Sequence, residues 1–405
     1  MSTLALKVDR AAARPTRAST LLRGPLPAWA ALFGNVLAFS SLPTAVPIPG
    51  SIGQLATQGA LLVAFLLALV ANPGGVIRPS LFLVLLTILG TVALMVSIHS
   101  EFMLGSTFRA FRLIGFTLVL WLLTPWWGRR DFVLLRAHMT CLRIVLLTVL
   151  IGAVIAPGAA FSFQGRLSGA LWPIPPTQVA HYAAALLGCT VVLWFGGAVR
   201  GRTAVLTLLG AGAALVGTHT RTALIAMTIG LVIAGASMFI GHARVRRTSA
   251  LLVVLAVTAA TLFAPLILDW LWRGQTVQEA SQLTGRTKVW SAIFGLERPW
   301  LEELFGSGLS NKSFNGLPID SNWLAVYLDQ GWFGLFVDAA LLLVLIILAV
   351  THRRSIRRAV ALFLITYCLV ASISETGLGD ASPYLLNLVV AASLLAPAPA
   401  GKGRT

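Results

Sequence analysis

Apolar blocks roughly 20 residues long, set apart by short polar connections, recur along the whole chain, and that is the length a helix needs to cross a bilayer. Composition agrees. Of 405 residues, 57% are hydrophobic and only 11% charged, with a mean hydropathy of +0.87. A soluble domain carries nearer a quarter of its residues as charges. The expected fold class is therefore an all-α integral membrane protein.

Reading blocks between breakers gives about twelve spans, near 26–46, 54–71, 80–98, 106–125, 139–158, 176–198, 203–218, 221–241, 249–269, 331–350, 359–374 and 384–396. Pro43, Pro47 and Pro49 make the end of the first irregular. The implied organisation is a cytoplasmic basic tail (1–25), a transmembrane bundle of about nine helices (26–269), an extracytoplasmic loop (270–330), C-terminal transmembrane helices (331–396) and a cytoplasmic tail (397–405). The first apolar block runs on from Pro25 without a cleavage site and reads as a span, not a signal peptide.

The net charge of +17 is informative through its placement. With the N-terminus in the cytoplasm, alternation puts Arg129, Arg130 and Arg136, then Arg200 and Arg202, then Arg244, Arg246 and Arg247, and then Arg353, Arg354, Arg357 and Arg358 on the cytoplasmic side. The opposite side keeps most of the acids, among them Glu101, Glu279, Glu297, Glu302, Glu303, Asp320, Glu375 and Asp380. One miscounted span would swap every later loop, so both termini are expected in the cytoplasm. The basic clusters are a topology signal with some contact to membrane lipid, and no nucleic-acid partner is expected. Cys141, Cys189 and Cys368 fall in apolar blocks and form neither a disulfide framework nor a metal motif.

Residues 270–330 are the long connection, read as a small helical cap on the outer face. Cytoplasmic loops are too short to hold a nucleotide sugar, and no Gly-rich phosphate loop precedes a soluble helix. Chemistry is therefore expected in the outer half of the bundle. Arg221 opens a span in Thr218-His219-Thr220-Arg221-Thr222; it either snorkels to headgroups or forks onto a phosphate. Arg286, in Thr284-Gly285-Arg286, falls in the first turn of a helix whose Trp290, Ile293 and Phe294 share a face; it is either a solvated loop arginine or an anion ligand. Arg109 and Arg112, three apart, share a helical face. Each would cost roughly 2.5–3.5 kcal/mol in hydrocarbon, so both should face a polar cavity or an anion, with Glu101 as a structural partner instead. Asp320 is a solvated loop acid or a general base. His219, His181 and His99 lie near the outer face, and His219 is two residues from Arg221. No ligand spacing for a metal is found, and no cofactor is expected.

Thr220-Arg221-Thr222-Ala223-Leu224, Thr284-Gly285-Arg286 with Trp290, Pro299, Phe305-Gly306-Ser307-Gly308-Leu309, Ser321-Asn322-Trp323-Leu324 and Asp329-Gln330-Gly331-Trp332-Phe333-Gly334 follow one another through 218–334. In that order the chain resembles the O-antigen ligase and O-antigen (exopolysaccharide) polymerase superfamily of bacterial membrane glycosyltransferases. The resemblance implies a GT-C-like helical fold in the plasma (inner) membrane, an undecaprenyl-diphosphate-linked glycan donor, and metal-independent transfer on the extracytoplasmic side. It also implies that Arg221 and Arg286 engage the donor diphosphate. Ligases carry His-Asn eleven residues before the glycine matched by Gly331; here those positions are Asp320 and Ser321. Asp320 is thus the substitute base, a departure closer to polymerases than to ligases.

The function expected from this resemblance is an inverting repeat-unit polymerase acting in surface polysaccharide assembly, with a glycan or lipid-glycan acceptor. Asp320, Arg221 and Arg286 would be catalytic, and Arg109, Arg112 and His219 would add substrate contacts. The alternatives are a ligase that transfers finished polymer and, from another class, a lipid-linked oligosaccharide flippase.

Overall fold

The computed structural model describes residues 24–100, 102–129, 131–239, 286–314 and 316–398. It is 70% helical, and six helices are long and apolar enough to cross a membrane. These are Gly50–Ala71, Met103–Leu122, Val133–Ile155, Pro176–Phe195, Arg221–Met238 and Asn322–Thr351. Leu81–Ser97, Gly201–Gly217 and Pro383–Leu395 are shorter apolar helices, and Ile356–Ala371 has 16 residues. The expected span 249–269, the first 16 residues of the expected loop (270–285) and both chain ends lie outside the described residues.

The first span departs from expectation. Its helix, Leu26–Asn35, stops after 10 residues, about 15 Å of rise and half a hydrocarbon core. The proline-rich stretch after it leaves the helix and satisfies its backbone elsewhere. Ser40 donates its amide to the Pro173 carbonyl at 3.0 Å, Ala45 donates to Ala170 at 2.8 Å, and the Trp172 indole donates to Ala38 at 3.0 Å. Irregular backbone is tolerated at such depths only where protein groups meet it.

The core is built on two enclosed helices. Pro176–Phe195 has 72% of its apolar window buried. In Pro383–Leu395 all 13 residues are buried, and 13 residues rise only about 20 Å, so this helix is enclosed by its neighbours. A polar chain stitches them together. His138 Nε2 lies 2.8 Å from Asn387 Oδ1, Asn387 Nδ2 lies 3.1 Å from His181 Nε2, and His181 Nδ1 lies 3.0 Å from the Tyr367 hydroxyl. His181 therefore belongs to the packed interior, not to a site. Gly50–Ala71, by contrast, has only 11% of its window buried and turns Leu55 and Leu62 outward, as a lipid-facing helix does.

Candidate functional site

Gly331 interrupts the helix Asn322–Thr351, with φ 64° and ψ −163°. A break there strips the carbonyls one turn earlier of their intrahelical donors, and a buried carbonyl left so is costly. Those of Tyr327, Leu328 and Asp329 are met from the segment 298–308. Arg298 Nη1 approaches the carbonyls of Tyr327 and Leu328 at 3.4 and 3.5 Å, and its guanidinium lies 4.2 Å from the Tyr327 ring centre. Ser307 donates its amide to Leu328 at 3.0 Å, and Gly308 donates to Asp329 at 3.0 Å. The approach needs glycine: a Cβ on Gly331 would fall 2.4 Å from the Leu304 carbonyl carbon, and one on Gly306 2.3 Å from Asp329. The two sequence motifs Phe305–Leu309 and Asp329–Gly334 are thus one structural unit.

The short helices Arg286–Phe294 and Trp300–Phe305 and a hairpin pairing 313–314 with 317–318 make up the rest of the described loop. The expected cap is therefore not wholly helical. Lys312, at the foot of the hairpin, forms an ion pair with Asp329, which is 1% exposed. Burial works against the Lys312 charge, but the Asp329 carboxylate, Asp380 and the hydrogen bond to Asp329 outweigh it, and the pKa lies above its ordinary 10.5. Asp329 Oδ1 also accepts from the Ser310 amide at 3.2 Å.

Asp320 follows the hairpin and is half-buried. Two residues on, Asn322 opens the long helix with every polar group engaged. It donates its amide N–H to the Ser372 carbonyl at 2.9 Å and its side chain to Asp338 at 2.9 Å, and it accepts from Gly377 and Leu378 at 3.1 and 2.8 Å. Asp338 is 1% exposed, and its Oδ1 has no hydrogen-bond partner among the described residues.

Arg221 begins the helix Arg221–Phe239, directly after a turn in which His219 takes φ 50°. Arg166 braces that turn, donating to the Thr218 carbonyl at 2.8 Å and to the Thr220 hydroxyl at 3.0 Å. Thr222 accepts from the Ser374 hydroxyl at 2.9 Å. The turn 372–374 therefore touches both the start of the Arg221 helix and the start of the Asn322 helix. Arg286 begins a helix whose Val289 and Ile293 pack with Ile319, Leu324 and Ala325, the residues flanking Asp320. The side chain of Arg286, its neighbour Thr284, and Glu101 and Glu279 lie outside the described residues.

Arg112 Nη2 donates to the Ala381 carbonyl at 2.6 Å, and its Nε is buried without a hydrogen-bond partner among the described residues. Arg109 lies near enough to Lys312 for its charge to oppose the ammonium. His99 bonds back to the Met95 carbonyl at 3.0 Å, one turn earlier in its own chain. No cluster of metal-ligating side chains occurs among the described residues.

Sequence reading missed Lys312, Arg298, Arg166 and Asp338. For Asp338 a signal exists: it is a carboxylate inside an apolar block, where an ionisable group marks function or a partner, whereas Lys312 is one of several cations in the loop 270–330. No protein-family model and no curated protein matches the chain.

Proposed function

We propose that the chain is a membrane glycosyltransferase that moves a glycan from an undecaprenyl-diphosphate donor to a sugar hydroxyl, extending a surface polysaccharide by repeat units. One observation carries the reading. The starts of three helices, at Arg221, at Arg286 and at Asn322 just after Asp320, are tied together by the turn 372–374 and by the packing of Val289 and Ile293. Helix starts favour anions through their free N–H groups, and two of these starts carry an arginine as well.

In this reaction the acceptor oxygen attacks the anomeric carbon as the bond to the diphosphate oxygen breaks. The hydroxyl proton passes to the Asp320 carboxylate, and the bonding electron pair leaves with the diphosphate. Charge grows on the leaving group as the bond opens. Preformed guanidinium donors at Arg221 and Arg286 stabilise it more in the transition state than in the bound donor, which is what raises the rate. Arg109, Arg112 and His219 add contacts to the diphosphate and glycan. On this reading the site faces the extracytoplasmic side of the plasma membrane, with both termini in the cytoplasm.

The test is complementation of a deletion strain, followed by sizing of the surface polysaccharide and its lipid-linked precursors. Wild-type protein should restore a ladder of lengths, while Arg221→Ala, Arg286→Ala and Asp320→Ala should each leave single lipid-linked repeats. Wild-type ladders from all three variants would defeat the assignment. Unchanged chain length with loss of attachment to the terminal acceptor would point to a ligase instead.

A further inference from the structure

We infer that Lys312 and Asp329 are a positioning pair that fixes the Asp320 carboxylate against the reacting sugar. The inference rests on Asp320 being the base and goes beyond that reading by naming what holds it.

Asp320 sits in a closed ring of contacts. Asp329 receives the Ser310 amide on one carboxylate oxygen and the Lys312 ammonium on the other, so residues 310–312 are fastened to it at two points. Ser310 in turn accepts from the Lys312 amide at 3.1 Å. Lys312 takes φ 60°, a conformation that a side-chain-bearing residue adopts only when its surroundings enforce it. From there the hairpin 313–318 leaves and returns, and Ile319 donates its amide to the Lys312 carbonyl at 2.8 Å. Asp320 is the next residue. Asn322, held at Ser372, Gly377 and Leu378, fixes the other side, and the helix it opens carries Asp329 itself. The loop bearing the base is thereby closed on its own helix at the buried Asp329 carboxylate, through the Lys312 ion pair and the Ser310 amide.

A neutral contact would hold the loop less well. Asp329 is enclosed, and removing its partner leaves a carboxylate charge without compensation, so the loop has a strong reason to stay closed. Asp380 and Arg109 lie near enough to act on the Lys312 charge and complete the electrostatic surroundings of the pair.

The experiment uses full-length protein in liposomes with a lipid-linked repeat as substrate, comparing Lys312→Gln, Lys312→Arg and Asp329→Asn with wild type. A second arm places a reporter at the base by Asp320→Cys and follows its reaction with a membrane-impermeant maleimide. The native thiols Cys141, Cys189 and Cys368 are buried and stay silent. Lys312→Gln and Asp329→Asn should each lower kcat about 100-fold while KM stays within about twofold, as misplacement of a reacting group does. They should also change the labelling rate at position 320 about fivefold or more by loosening the loop. Lys312→Arg, which keeps the charge, should recover most of both readouts. If either non-conservative variant fails to fold, the other removes the same pair from its opposite end. Unchanged labelling and kcat in these variants, with Asp320→Ala inactive, would overturn the positioning role alone. Full activity of Asp320→Ala would overturn the base and this inference together.

Discussion

Asn322 donates its side-chain amide to the Asp338 carboxylate at 2.9 Å, although the two residues are 16 positions apart and lie on either side of the Gly331 break. The same amide group accepts from Gly377 and Leu378. One side chain therefore joins both halves of an interrupted helix to residues 377–378, while the Asn322 backbone amide reaches Ser372 in the turn that also meets the start of the Arg221 helix.

Removing Asn322 leaves a buried carboxyl, the buried Leu378 amide and the half-buried Gly377 amide without their partner. Asn322→Leu is expected to cost about 3 kcal/mol of stability, read as a lower thermal midpoint of the purified protein. Replacing both residues, with Asn322→Leu and Asp338→Leu together, should cost less than the sum of the singles, because the Asp338 carboxyl is then no longer stranded and only the Gly377 and Leu378 amides lack their partner.

Gly331→Ala should be among the most damaging single changes in the chain. Its φ of 64° strains any L side chain, and its Cβ would overlap the Leu304 backbone, which has no flexible end to give way. A loss of about 3 kcal/mol or more is expected. Ser307→Ala is the control: it removes one exposed contact to Leu328 at 3.1 Å, while the Ser307 amide still caps that carbonyl. Its thermal midpoint should stay close to wild type.

The Lys312–Asp329 pair gives stability a defined dependence on pH. The folded Lys312 pKa is raised above 10.5, so the stability it brings is complete below that value and is lost as pH climbs through the folded value. The gap in thermal midpoint between wild type and Lys312→Gln should be constant from about pH 7 to about pH 10 and narrow above that. A gap already closing near neutral pH would contradict the charged pair.

Asn387 offers a test of the interior. Asn387→Leu keeps the volume but strands His138 Nε2 and His181 Nε2 in the packed interior, where both histidines are 1% exposed. A cost of about 2–4 kcal/mol is expected, measured as increased unfolding in detergent.

The membrane class was legible because burial in lipid demands long apolar blocks, and these are written locally in the sequence. The ends of elements were less so. Nothing near Asn35 announces that the first helix stops there, because its continuation is held by Pro173 and Ala170, far along the chain. The polar interior was illegible for the same reason: Asn387 meets His181 across 206 positions and His138 across 249. At the site, the motifs around Arg221, Gly306, Asn322 and Gly331 could be picked out singly. Their assembly depends on the Gly331 break, whose freed carbonyls recruit Arg298, Ser307 and Gly308. Lys312 went unnoticed because a loop cation among several reads as solvated until its partner is known.

Transfer and transport are separated most directly by purified protein in sealed liposomes loaded with a labelled undecaprenyl-diphosphate repeat unit. Glycosidic bond formation and lipid movement are followed in the same sample. The account predicts a ladder of extended glycan with release of undecaprenyl diphosphate, and no ladder from Asp320→Ala. Movement of the labelled lipid across the bilayer with no new glycosidic bond would contradict it.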